Sequence, residues 1–130
     1  MIRWFRIVRK RRKSRSKNIK GKKELILYKE KALELVIDRL EYFNQFYDLK
    51  YGSVKIKAQR TRWGSCSSKG NLNFSYKIFL LPHYLADYLV VHELCHIKEF
   101  NHSQRFWDQV AMTIPDFAQK RMELKKIRLD

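Results

Sequence analysis

Cysteine is scarce: Cys66 and Cys95 are the only two in 130 residues, which excludes a disulfide-stapled secreted scaffold. Proline and glycine number two and four, and neither interrupts residues 24–47. No apolar run is long. The longest, from Tyr84 to Val91, is broken by Asp87 and is far too short to span a bilayer, so no membrane contact is expected. The opening Met1-Ile2-Arg3-Trp4-Phe5-Arg6 has no apolar stretch behind its charges, so a secretory leader is not expected and a cytoplasmic location is. Acidic side chains are few, 13 against 29 Lys plus Arg, for a formal net charge of +16.

Apolar residues make up 45% of the chain and aromatic ones 14%, enough for one packed core and against disorder. The positive charge is uneven. Residues 1–23 hold 12 Lys/Arg and no acid, leaving 17 basic and 13 acidic side chains for the rest. The chain therefore divides into a basic stretch or short strand over residues 1–23 and a folded domain over residues 24–130. The run Arg9-Lys10-Arg11-Arg12-Lys13 cannot bury its charge cheaply; it is either a solubilising tail or a contact for phosphates, nucleic acid included.

Apolar positions 28, 32, 36, 40, 43 and 47 recur at intervals of three and four and predict a long helix over residues 24–47. Val54, Ile56 and Ala58 then alternate with polar residues, as do Leu72, Phe74, Tyr76 and Ile78, which predicts two strands. The turn-rich loop 63–70 between them suggests that they pair antiparallel. Tyr84 to about Phe100 reads as a helix, with Asn101 suited to a left-handed residue at its end. Ser103 is a candidate N-cap for a third helix, and Pro115-Asp116 opens a fourth. The expected class is α+β: a long N-terminal helix, a small antiparallel sheet, a central helix and two C-terminal helices.

The segment that carries chemistry is His92-Glu93-Leu94-Cys95-His96, with His102 six residues on. One helical turn apart, His92 and His96 share a face, with Cβ atoms about 5–6 Å apart. That spacing lets two imidazoles reach one Zn²⁺, while Glu93 is turned aside to meet a water. With four histidines and seven glutamates in the chain, chance supplies only about 0.006 such matches, so the pattern is specific. The bland alternative, two exposed histidines on a surface helix, fits poorly beside Leu89, Val90, Val91, Leu94 and Ile97. One Zn²⁺ per chain is therefore expected.

For the third ligand, His102 is favoured over Glu99, Asp108 and Asp116, because an imidazole just past the helix end needs little reach. His102 lies ten positions after His92, the metzincin separation, but Glu99 occupies the position of that motif's glycine. Three neutral ligands would leave the full charge on the ion and lower the pKa of its water, whose proton Glu93 would accept. Arg62 and His83 are candidate donors to a developing oxyanion, and Cys95 reads as core.

Taken together, Arg62-Trp63-Gly64-Ser65-Cys66, Gly70-Asn71-Leu72-Asn73, the zinc motif and Asn101-His102-Ser103-x-x-Phe106-Trp107 resemble the YgjP-like metallopeptidase family over roughly residues 24–126. The resemblance implies a minimal zincin-type fold related to SprT-like domains. It also implies zinc on His92, His96 and His102, with Glu93 as catalytic acid and base. Family members are described as metal-dependent hydrolases, and a UTP pyrophosphatase label also circulates among them. Arg62, Trp63, Asn71 and Asn73 are candidate substrate contacts. The reading given to them is that the strand after the loop forms an edge for an extended peptide, with Asn71, Asn73 and Ser75 facing the cleft. The bland reading is that Trp63 plugs the sheet and Gly64 makes a turn.

Three functions compete. The first is a zinc peptidase acting on peptide or protein. The second is a nucleotide phosphoanhydride hydrolase using Lys55, Lys57, Arg60, Arg62, Lys69 and Lys77, in a stretch with no acid between Asp48 and Asp87; against it, no Gly-rich phosphate loop is present. The third is a nucleic-acid module with structural zinc, against which stands the adjacent glutamate.

Overall fold

The computed structural model describes residues 19–129, so most of the N-terminal basic stretch or short strand, with the run Arg9 to Lys13, lies outside the described residues. Helix α1 spans Ile19–Tyr47. Its stripe is the one the spacing predicts: Ala32, Val36, Leu40 and Phe43 are buried, with Tyr28 and Tyr47 partly so. The helix ends at Asp48, a left-handed residue with φ 51°, and the Asn44 side chain closes the turn by bonding both the N–H and the carbonyl of Leu49.

Strands β1 (Val54–Lys57), β2 (Gly64–Cys66) and β3 (Leu72–Ser75) form one sheet in the order β1-β3-β2. The expected wholly antiparallel sheet is corrected here. β1 and β3 run parallel, and the antiparallel partner of β3 is β2, which comes from the loop read as turns. A short connection through Gly70, at φ +78°, lets β2 fold directly back on β3 and take one of its edges. β1 is left with the opposite edge, reached by the crossover through residues 58–63. With both edges occupied, β3 is central and cannot pair with a peptide, so the edge role expected for it is withdrawn. β3 also stops at Ser75, because the Ser75 hydroxyl accepts from the Lys77 N–H and starts a 3₁₀ turn over Tyr76–Leu80.

Helix α2 (His83–Cys95) is apolar nearly all round and fills the centre of the molecule; every residue from Tyr88 to Cys95 is buried. Arg39 of α1 grips Asp87 of α2 through two bonds of 2.7 and 3.2 Å, which fixes how the two helices lie. The expected left-handed Asn101 is absent: Asp48 is the only non-glycine with positive φ among the described residues. α2 ends earlier instead, in tightened bonds from Ile97 N–H to Leu94 and from Lys98 N–H to Cys95. Helices α3 (Gln104–Ala111) and α4 (Phe117–Lys126) complete the α+β fold, and Phe106, Val110 and Leu124 join the core. No helix among the described residues is long and apolar enough to cross a membrane.

Ser103 caps α3, its hydroxyl accepting from the Phe106 N–H. Ser103→Ala is expected to cost about 1 kcal/mol, seen as a fall of about 3–5 °C in thermal denaturation, while Ser103→Asp keeps most of the stability. An unchanged melting temperature in Ser103→Ala would show that the cap contributes nothing.

Candidate metal centre

α2 carries His92 and His96 on one face, and the early end of that helix turns the chain so that His102 folds back onto the same point. The three Nε2 atoms form a nearly equilateral triangle: 3.1 Å from His92 to His96, 3.1 Å from His96 to His102 and 3.2 Å from His102 to His92. Points at those separations lie about 1.8 Å from their common centre, close to the roughly 2.0–2.1 Å at which imidazole nitrogens hold a zinc-like ion. The donor set fits a zinc-like ion. These are also the only three metal-ligating side chains that converge in this way among the described residues. Glu99, Asp108 and Asp116 stay apart: the Asp108 carboxylate is bonded by Gln104 and the Asp116 carboxylate by Lys120.

The rings are held from behind. His96 Nδ1 donates to the Glu99 carbonyl at 3.0 Å, because a carbonyl can only accept, and that fixes the tautomer whose Nε2 lone pair faces inward. His92 Nδ1 meets the Tyr88 hydroxyl at 3.2 Å. Phe106 lies beneath all three, stacked on His96 with centroids 4.3 Å apart and edge-on to the other two. Trp107 stacks between His102 and Phe117, at interplanar angles of 23° and 15°. His92 and His96 are fully buried whereas His102 is exposed, so the cluster opens on the His102 side.

The pKa of all three imidazoles is lowered, which favours their neutral form. Burial holds His92 well below the ordinary range, helped by the charges of the other two, and brings His96 down to about 4. His102 is lowered too, by burial and then by the Arg121 guanidinium. Neutral imidazole is the form that binds metal.

Glu93 is fully buried, and neither carboxylate oxygen has a hydrogen-bond partner among the described residues. Its pKa is pushed well up by burial, an effect that the nearby Arg62 guanidinium opposes. An orphaned carboxylate is costly unless something arriving at the site uses it. Its position depends on Gly64 of β2: a Cβ there would lie 3.0 Å from Glu93 Oε2 and 3.1 Å from the Asn73 carbonyl. Gly64 is therefore a strand residue whose missing side chain makes room for Glu93, not the turn glycine the sequence suggests.

The other sequence candidates are distributed as follows. Arg62 donates from Nε to the Gln59 side chain at 2.7 Å, and its charge reaches Glu93. Trp63 is packed in the core. Asn71 turns its side-chain oxygen to the Ser53 N–H, and Asn73 is buried in β3, opposite Ser65 of β2. His83 is exposed at the start of α2. Cys66 and Cys95 are buried outside the histidine cluster, and burial pushes each thiol up to about 12. Sequence reasoning missed Gly64, Tyr88 and Arg121 as site neighbours and named Phe106 and Trp107 only within the motif that carries the family resemblance. Their one sequence signal was the pair Phe106-Trp107 close behind His102.

Protons compete with metal only where imidazole is charged. Zinc affinity, measured by chelator competition, is therefore expected to change little between about pH 7.5 and 6.5 and to fall steeply below about pH 5. A loss already complete near pH 6 would mean that the histidines titrate as ordinary exposed ones.

The family model described as YgjP-like, metallopeptidase domain, matches residues 4–127. Among solved structures, the metallopeptidase zymogen abylysin of Pyrococcus abyssi is similar at 25% identity and a TM-score of 0.64, covering 72% of this chain and 96% of its own. The zymogen jannalysin of Methanocaldococcus jannaschii shares the fold at 18% identity and a TM-score of 0.60, covering 68% and 92%. No curated protein matches the chain in sequence. A match over nearly the whole length, on a fold that gathers three histidines around one point, settles the relationship: the chain belongs to the YgjP-like metallopeptidase-domain family.

Proposed function

We propose that the chain is a zinc-dependent peptidase in which Glu93 is the general base. The observation that carries this reading is the pairing of two features: three imidazole nitrogens that converge with no fourth protein ligand among the described residues, and a buried carboxylate without a hydrogen-bond partner among them on the residue next to the first. His92, His96 and His102 would hold the ion, which when bound supplies Lewis-acid activation of water and of the scissile carbonyl. Glu93 accepts the proton of the attacking water and delivers it to the leaving amine. Burial favours the protonated carboxylic acid that makes this delivery, and Arg62 favours the carboxylate that accepts the proton, so the two oppose each other at one oxygen pair. Gly64 keeps the backbone close enough to hold Glu93 in place.

Structural zinc is the weaker reading, since such sites take four protein ligands and leave no open side. Phosphoanhydride hydrolysis is the competing activity, resting on the acid-free stretch between Asp48 and Asp87. Two free, buried thiols suit a reducing compartment such as the cytoplasm.

Glu93→Gln is expected to bind zinc as the parent does and to lose hydrolysis by about a hundred- to ten-thousandfold. Parent and variant incubated with casein and with UTP, each with and without chelator, decide the matter: chelator-sensitive casein cleavage supports the peptidase, and UTP turnover alone overturns it. The basic stretch before Glu24 is proposed as a nucleic-acid contact. Removal of residues 1–18 is then expected to abolish a steeply salt-dependent affinity for DNA, and an affinity unchanged by that trimming counts against the contact.

A further inference from the structure

Arg121 of α4 is a half-buried cation beside the metal centre that the mechanism above does not use. Its guanidinium carbon lies 5.3 Å from the centre of the Trp107 ring, and that ring stacks on His102 and stands 5.8 Å from His92. Five N–H donors sit on this group, yet no hydrogen bond or ion pair joins it to any of the described residues. The acids of α3, α4 and the turn between them bond elsewhere: Glu123 accepts from the Tyr84 hydroxyl, Asp116 from Lys120 and Asp108 from Gln104. The placement is also costly, because a positive charge whose field reaches His92 and His102 works against a second positive charge being held there. An anion arriving with the substrate would offset both defects at once.

The ring face of Trp107 holds the guanidinium, and a planar fork of donors matches a carboxylate in bidentate fashion. His102, which stacks on Trp107, is the exposed member of the cluster, and the net charge of +16 favours an acidic partner at long range. Building on the peptidase reading, we propose that Arg121, seated on Trp107, is a specificity-determining residue that binds a carboxylate of the polypeptide substrate close to the scissile bond.

A zinc-loaded full chain and its Arg121→Gln and Arg121→Glu variants are to be profiled on a mixed peptide library synthesised with both free and amidated C-termini. In the parent, cleavage should favour Asp or Glu at one fixed position from the cut, or a free C-terminus if the terminal carboxylate is the group bound. Arg121→Gln should lower kcat/KM for the carboxylate-bearing peptides about ten- to hundredfold, mainly through KM, and leave their amide counterparts within about threefold. Arg121→Glu should shift the preference toward Lys or Arg at that position. Zinc affinity, read by chelator competition without any turnover, should rise about threefold in Arg121→Gln as the opposing charge is removed.

A parent that cleaves peptides with no carboxylate preference overturns the role of Arg121 and leaves the peptidase reading intact. An Arg121→Gln variant that loses all peptides equally, or binds zinc more weakly, shows a structural role and overturns it too. Stoichiometric zinc with no library member cleaved sinks the peptidase reading and this inference together.

Discussion

Three imidazole nitrogens converge to within 3.1–3.2 Å of one another, a crowding that a cation held at their centre would turn into binding. Keeping the rings neutral and immobile in so crowded a space is the constraint that organises the molecule. α2 meets it by burying two of the rings in the middle of the core, where desolvation keeps protons off them. The Glu99 carbonyl behind one ring and the Tyr88 hydroxyl behind another fix which nitrogen faces inward. The third ring lies on a loop and has no helix to position it. Aromatic packing does that work, with Phe106 beneath it and Trp107 against its face.

The same burial creates a second tension at Glu93. A carboxylate in the core with no hydrogen-bond partner among the described residues is unfavourable in isolation, and both Arg62 and the space opposite Gly64 are arranged around it. Such local cost at a site is tolerable because the surrounding helices are firmly tied, α1 to α2 through the Arg39–Asp87 pair and α3 to its loop through the Ser103 cap. The two guanidiniums act on different groups of the site: Arg62 on Glu93, and Arg121 on His92 and His102.

Much of the site could be read directly from the chain. The spacing of His92, Glu93 and His96 defines one helical face, and the apolar residues around them imply that this face is inside. The stripe of α1 and the cap at Ser103 were equally legible, because helical periodicity and capping are local properties. The sheet was not. Residues 64–66 carry turn-forming types and still form a strand that pairs antiparallel with β3, which leaves β1 the opposite edge, where it runs parallel. Nothing in a window of ten residues encodes that competition. Likewise, the strand pattern running to Ile78 is cut short by a single hydroxyl at Ser75.

The sequence by itself determined the chemistry on offer: two imidazoles and a carboxylate on adjacent turns of a buried helix, since a period of 3.6 residues leaves them no other arrangement. Only the tertiary structure decided that His102 rather than Asp108 or Asp116 meets the other two rings, because that depends on where α2 stops and how α3 packs back. It also decided that Gly64 lies against Glu93 and that Arg121 rests on Trp107, contacts between residues 29 and 14 positions apart in the chain. Contacts of that kind are set by the packing of whole elements, and no short stretch of sequence carries them.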